Sequence, residues 1–196
     1  MKFRYLLAAL PLVAAPLASA LLLAAAPAAA ADWAVDTAKS RLGFSGVQTG
    51  APFQGGFGKW SAEIAFDPAH PEAGHAQVTI DLASARTGDP QRDGALPQID
   101  WFNVKQFPEA RFEATGFVAK GGNAYEAPGK LTIRGIAKDV VLPFTLEITG
   151  DKAEAKGHLN LVRAGFGVGQ GVWATGEWVA LDVGVDVDLV ATKSGS

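Results

Sequence analysis

From residue 32 onward, apolar and polar residues alternate over long stretches of the chain. The clearest run is the last one. Val179, Leu181, Val183, Val185, Val187 and Leu189 alternate with Ala180, Asp182, Gly184, Asp186, Asp188 and Val190. A period of two puts every second side chain on one face, so this run predicts a strand with one apolar face. Val140, Leu142, Phe144, Leu146 and Ile148 form a second such row, with Val141, Pro143, Thr145 and Glu147 between them. Ala76, Val78, Ile80 and Leu82 form a third, and Trp60, Ala62, Ile64 and Phe66 a fourth. Weaker alternation predicts strands over 41–48, 111–118, 130–134 and 153–162. Turn signals separate these runs at Asp67-Pro68 through Gly74, at Lys120-Gly121-Gly122-Asn123 and at Thr149-Gly150-Asp151. Consecutive strands joined by short polar turns make an antiparallel meander. Eight such strands close most economically into an all-β barrel, which removes exposed edges. Pro143 has no amide to donate and predicts an edge, a bulge or an outward-facing ladder position.

The stretch from Ser84 to Pro108 does not alternate. It holds Gly88, Pro90, Gly94, Pro97 and Pro108. Asp89-Pro90 reads as a helix start, with Asp as cap and Pro in the first turn. Short helical turns are predicted over 90–96 and 100–104. Trp101, Phe102 and Phe107 require burial, which places this segment over one end of the sheet. Gly43, Gly46, Gly50, Gly55, Gly56 and Gly58 crowd the first two strands. Glycine there accommodates either barrel curvature or the close approach of a ligand.

The first 31 residues are of another kind. Lys2 and Arg4 precede an apolar run from Tyr5 to Ala31, broken by Pro11, Pro16, Ser19 and Pro27. A basic start, an apolar run and small residues before a cut are the order of a secretory signal peptide. Ala29-Ala30-Ala31 places the cut before Asp32, and Ala18-Ser19-Ala20 also satisfies the small-x-small rule. A retained anchor is the competing reading, because the run exceeds about 20 residues, but three prolines and an alanine tract oppose it. The expected organisation is a signal peptide over 1–31 and one domain over 32–196.

Removing 1–31 takes away two basic residues and no acidic one, which leaves 15 basic against 20 acidic side chains and a net charge of −5. No basic excess marks a nucleic-acid binder. The chain has no cysteine, which excludes disulfides, thiolate nucleophiles and Cys-ligated metals. An export signal without cysteines points to a bacterial periplasm rather than a disulfide scaffold.

Candidate chemistry is sparse. His70 and His75 flank a proline-containing turn, and His158 sits on a polar strand face. They read as surface histidines rather than a metal site. Asp182, Asp186 and Asp188 share a solvated strand face. Ser45, Ser61 and Ser84 lack a nucleophile motif, and no phosphate loop or His-Glu-x-x-His is present. The compact charged cluster is Arg86, Asp89, Arg92 and Asp93. It reads as loop ion pairs and a helix cap, with a hydrolase site as its alternative. No catalytic, metal or cofactor site is expected.

An ordered set of short motifs then becomes specific. Gly55-Gly56-Phe57 precedes Ile64-Ala65-Phe66-Asp67-Pro68. Arg92-Asp93-Gly94-Ala95-Leu96, Asp100-Trp101-Phe102 and Phe107-Pro108-Glu109-Ala110-Arg111-Phe112 follow. Gly129 through Gly135, Val140-Val141-Leu142, Arg163 and Phe166-Gly167-Val168-Gly169 complete the series. In order and spacing it resembles the YceI-like family of exported bacterial lipid-binding proteins, over essentially Trp33 to Val190. The resemblance implies a lipocalin-like antiparallel eight-stranded barrel around an apolar tunnel. It implies a polyisoprenoid or quinone-like lipid as the partner. It also brings a membrane b-type cytochrome into view as a partner, and leaves the oligomeric state open, a homodimer included. Where many relatives carry His-Ser, this chain has Lys39-Ser40, which bears on headgroup choice.

On that reading, the candidate tunnel-wall residues are Phe44, Trp60, Ile80, Leu82, Phe112, Leu131, Ile133, Leu142 and Phe144. Trp101, Phe102 and Phe107 are candidates for the mouth. The competing expectations are a solid barrel serving as a stress or interaction domain, and, more remotely, a hydrolase. Alternation cannot separate a tunnel from a solid core, because both bury the same faces. The leader makes its own prediction. N-terminal sequencing of periplasmic material should begin at Ala31 or Asp32, and recovery solely as a membrane-embedded full-length chain would make residues 1–31 an anchor.

Overall fold

The computed structural model describes residues 30–194. All but the last two residues of the expected signal peptide lie outside that range. The strands are β1 (Ala31–Val35), β2 (Arg41–Gln48), β3 (Ala51–Phe57), β4 (Trp60–Phe66), β5 (His75–Asp81) and β6 (Ala85–Arg86), followed by helix α1 (Pro90–Ala95). Then come β7 (Glu109–Ala114), β8 (Val118–Gly121), β9 (Ala124–Ile133), β10 (Ile136–Thr149), β11 (Lys152–Val162) and β12 (Asp182–Lys193).

Eight antiparallel strands close on themselves in the order β1-β4-β5-β7-β9-β10-β11-β12, with β12 returning to β1. The remaining strands extend the same wall. β12 pairs with β1 near its end, where Val35 meets Ala191, and with β2 over Gly184–Asp188. β1 and β2 are therefore two halves of one bent strand. β3 with β4, and β5 with β6, are bent in the same way, since β3 pairs with both β2 and β6. At the β1–β2 break, the Ser40 hydroxyl accepts from the Val190 amide (2.9 Å) and donates to the Val190 carbonyl (3.3 Å). It replaces ladder bonds that the bend removes.

The strongly alternating runs form strands, although some of their ends fall outside the ladder, as Leu82 does in a short 3-10 turn after β5. Several other segments differ. The alternation over 111–118 is divided: β7 ends at Ala114 and β8 begins at Val118. The Phe117 amide donates to the Pro71 carbonyl (3.0 Å), which pulls the chain out of the ladder between them. The last strand begins at Asp182, and Val179 meets Gln48 only as an isolated bridge. No helix forms over 100–104. The Phe102 amide bonds back to Leu96 and the Asn103 amide to Gln98 (both 2.9 Å), with Asn103 in the left-handed region (φ 51). A left-handed residue cannot continue an α-helical turn. Pro143 lies at an internal edge. The β10–β11 ladder begins at Phe144, and Pro143 pairs with β9 alone.

Two of the crowded glycines, Gly46 and Gly55, lie against the protein's own rings, and so does Gly129 on β9. A Cβ at Gly55 would strike the Phe44 ring, and one at Gly129 would come within 2.7 Å of the Phe112 ring. Each ring lies flat across the glycine of the neighbouring strand and points into the barrel.

Two apolar clusters fill the two ends. One gathers Leu42, Phe44, Ile80, Leu82, Phe102 and Phe166 beneath α1 and the loops. The other gathers Trp33, Phe66 and Phe117 against small residues such as Ala76, Ala127 and Ala153. In the second, Phe66 meets Phe117 edge-on at 5.2 Å, and Tyr125 stacks on Phe144 at 5.6 Å.

On the outer wall, His158 contacts Asp186 through Nδ1 (2.7 Å) and Asn160 through Nε2 (3.2 Å). Both partners are oxygens, so the imidazolium satisfies them together. Bonding to Asp186 first, and to Asn160 second, raises the His158 pKa above its ordinary 6.5. A raised folded value means this contribution to stability is complete below pH 6.5 and is lost as pH rises through the folded value. An NMR titration of His158 should give a midpoint above 6.5, and Asp186→Asn should bring it down.

Candidate ligand tunnel

The inward strand faces do not meet on the barrel axis. They enclose a continuous cavity of about 810 Å³ that runs from Thr49 and Gln91 at one end to Trp33 and Ala153 at the other. Interiors of proteins rarely hold voids larger than a water, and ligand sites span about 300–1,000 Å³. This volume belongs to the second class.

The proposed wall residues all face it. Phe44, Trp60, Ile80, Leu82, Phe112, Leu131, Ile133, Leu142 and Phe144 line the cavity. Trp101 and Phe102, from the overlying loop, do so as well. Phe107 does not line the cavity. Its ring sits 5.7 Å from the Arg134 guanidinium and packs against Gly135. The row Val183, Val185, Val187 and Leu189 also faces the cavity, with Leu159, Leu161, Phe53 and Phe57. The regular period of β12 marked that row as one face. Nothing local said that the face looked into open space.

Polar side chains gather at one end only. Gln48, Thr49, Thr87, Asp89, Gln91 and Arg92 border the cavity there, between the β2–β3 tip and α1. Helix α1 exists because Asp89 accepts from the Gln91 and Arg92 amides (3.0 Å each) and Pro90 opens the first turn. Arg92 donates to the Gln48 side chain (3.1 Å) and lies 4.9 Å from the centre of the Phe53 ring. Asp93 accepts from the Thr87 hydroxyl (2.8 Å) and amide (2.6 Å), which holds its carboxyl below the ordinary carboxylate range. Arg86 donates to the Ala83 and Ala85 carbonyls. The charged cluster thus builds a helix cap and a rim. No nucleophile and base converge within it. Among the described residues, no group of three or more His, Cys, Asp or Glu could hold a metal ion. Lys39 pairs with Asp36 on the surface (2.7 Å), and neither Lys39 nor Ser40 lines the cavity. The Lys39-Ser40 departure therefore lies away from the polar rim.

Two arginines hold the mouth loops. Arg163 is 5% exposed, and it donates to the carbonyls of Val168, Gly169, Trp173, Val179 and Ala180. Burial lowers its pKa, and its guanidinium stacks 5.3 Å from the Trp101 ring. Arg134 is left-handed (φ 51) and donates to the Ile99 carbonyl (2.8 Å) and the Trp101 carbonyl. Arg163 thereby fixes the segment before β12, and Arg134 the segment after α1. Both arginines were visible only as motif letters, since their carbonyl partners leave no sequence signature.

A model of the YceI-like domain matches residues 33–191, nearly the whole barrel. The chain belongs to the YceI-like family. Its structure is similar to BcnA of Burkholderia cenocepacia, with 40% identity, a TM-score of 0.78, and coverage of 81% of this chain and 99% of that one. It shares the fold of a polyisoprenoid binding domain from Saccharophagus degradans, at 18% identity and a TM-score of 0.66, covering 84% of this chain and 99% of that domain. A UPF0312 protein of Pseudomonas syringae pv. tomato is 32% identical over 132 residues, which are 67% of this chain and 63% of the relative. The chain thus spans less than two thirds of that relative's length. For this YceI-like barrel, the arginine staples carry a prediction. Arg163→Met strands five carbonyls and should destabilise the fold by about 3 kcal/mol in denaturant melts. Arg163→Lys should recover only part, because an ammonium offers three donors instead of a five-donor fork.

Proposed function

We propose that this protein binds a long-chain polyisoprenoid lipid inside the barrel and carries it in the periplasm. The observation that carries the reading is the cavity of about 810 Å³, apolar along its length and polar at one end. A prenyl chain offers apolar surface and branched methyl groups. Its burial contributes about 25 cal/mol per Å² without any hydrogen bond. A polar headgroup would remain at the rim, beside Gln48, Thr87, Gln91 and Arg92, where desolvating it costs least. The likeness to a polyisoprenoid binding domain supports the ligand class. The basic start and apolar run of residues 1–31 support export.

A solid barrel is disfavoured by the unfilled axis. A hydrolase is disfavoured by the structural use of Arg86, Asp89, Arg92 and Asp93, and membership of a family of binding domains points the same way.

Native mass spectrometry of protein purified from its own bacterium tests the ligand class. The expected result is a bound series spaced by one isoprene unit, and reproducible absence of lipid would overturn the reading. A tunnel variant tests the site. Ala155 lines the cavity from β11, so Ala155→Trp should leave the melting temperature of delipidated protein nearly unchanged while abolishing uptake of a fluorescent prenyl lipid. In a solid core the same change would overpack and cost about 1–3 kcal/mol. A large fall in melting temperature with intact lipid binding would remove this face from the tunnel.

A further inference from the structure

We propose that the mouth end of the barrel is a docking face for a lipid bilayer with electrically neutral headgroups. Ile99 and Val172 are the most exposed large apolar side chains among the described residues, at 69% and 68%. Trp178 is half exposed, and Val47 is exposed beside it. All four belong to the mouth end. The Ala180 amide donates to the Val47 carbonyl (2.8 Å) and the Thr49 amide to the Trp178 carbonyl (2.9 Å), which joins the β2–β3 tip to the segment before β12. The Gly169 and Gln170 amides donate to the Asp100 carbonyl (2.7 and 2.8 Å), which brings Ile99 next to the segment bearing Val172.

None of the four lines the cavity, so holding a ligand does not explain them. Nor are they on loose loops. Arg134 holds the Ile99 carbonyl, and Arg163 holds the carbonyls on either side of Trp178, at Trp173 and Val179. Apolar side chains on pre-ordered backbone enter a membrane interface with little further ordering. Tryptophan suits that interface, with an apolar body and one polar N–H.

Charge selects the kind of surface. Asp89, Asp93, Asp100, Glu177 and Asp182 lie on these mouth segments, against Arg86, Arg92, Lys105 and Lys138, and Arg134 and Arg163 are buried. A polybasic site for anionic lipid is absent from these segments, so insertion rests on apolar contact. The same rim surrounds the tunnel opening. A docked barrel would present its opening at the boundary between headgroups and acyl chains, where the polar rim stays among headgroups and an apolar ligand would enter with little exposure to water. This transfer role rests on the lipid-binding proposal, while docking itself does not.

The test uses the chain from Ala31 onward, which contains every strand described, and phosphatidylcholine vesicles with no prenyl lipid. Sedimentation should show partitioning that added salt does not weaken and added phosphatidylglycerol does not strengthen. The combined variant Ile99→Ser, Val172→Ser, Trp178→Ser should lose partitioning by about tenfold or more. Its melting temperature, and its affinity for a fluorescent prenyl lipid delivered from detergent, should not change. Val118→Ser with Val141→Ser, exposed but away from the mouth, should partition like the parent. Equal partitioning of rim and control variants would overturn the proposal. So would a change from dimer to monomer in the rim variant without vesicle binding by the parent, which would make the face a contact between copies. Vesicle binding without prenyl uptake would keep the docking face and defeat the ligand assignment, and the reverse result would do the opposite.

Discussion

An eight-stranded antiparallel sheet that closes around an axis its side chains do not reach is the constraint on which the other features rest. At eight strands a barrel interior is either just filled or holds one small ligand. Which outcome follows depends on what points inward. Here alanines such as Ala76, Ala127, Ala153 and Ala155 alternate with branched and aromatic side chains along the wall. Phe44 and Phe112 lie flat on Gly55 and Gly129 instead of reaching across. The wall is apolar and unfilled for that reason. Closure also requires the bends in β1–β2, β3–β4 and β5–β6, since β12 must pair with β1 at one end and β2 at the other.

A closed tube still needs defined ends. At the far end, Trp33, Phe66 and Phe117 pack together, and the Trp33 indole donates to the Phe66 carbonyl (3.1 Å). At the mouth, the work falls to Arg134 and Arg163. A buried cation ordinarily demands a carboxylate partner, at the expense of burying a second charge. Main-chain carbonyls satisfy these guanidiniums instead, and the same bonds order two long irregular segments. Trp101 lies between the two devices: Arg163 stacks on its ring, Arg134 bonds its carbonyl, and its indole N–H has no acceptor among the described residues. The mouth is therefore framed by pinned backbone rather than by regular structure.

The distribution of polarity gives the tube a direction. An apolar chain gains from any depth of insertion, so a uniformly apolar wall would hold it without orientation. Gln48, Thr87, Asp89, Gln91 and Arg92 break that symmetry at one end, and the exposed side chains of Ile99, Val172 and Trp178 stand at that same end. The opening, the polar groups and the outward apolar rim are carried by the β2–β3 tip together with the segments that interrupt the meander after β6 and after β11.

The sequence by itself determined the local features. Period-two runs such as Val183 to Leu189 can only be strands with one apolar face, because side chains of an extended chain alternate. Asp89-Pro90 fixed the start of α1, because a cap and a first-turn proline act within one turn. The ordered motifs determined the family. Tertiary structure decided the rest. Whether the shared apolar face met other side chains or empty space depended on distances across the barrel, which alternation does not encode. Phe107 looked like its aromatic neighbours in sequence, yet it packs under Arg134 while Trp101 and Phe102 face the cavity. The weakly patterned strands β1, β3, β6 and β8 form because neighbouring strands supply their hydrogen bonds. Arg134 and Arg163 could not be read as staples, because a carbonyl partner can belong to any residue and only the fold says which one arrives.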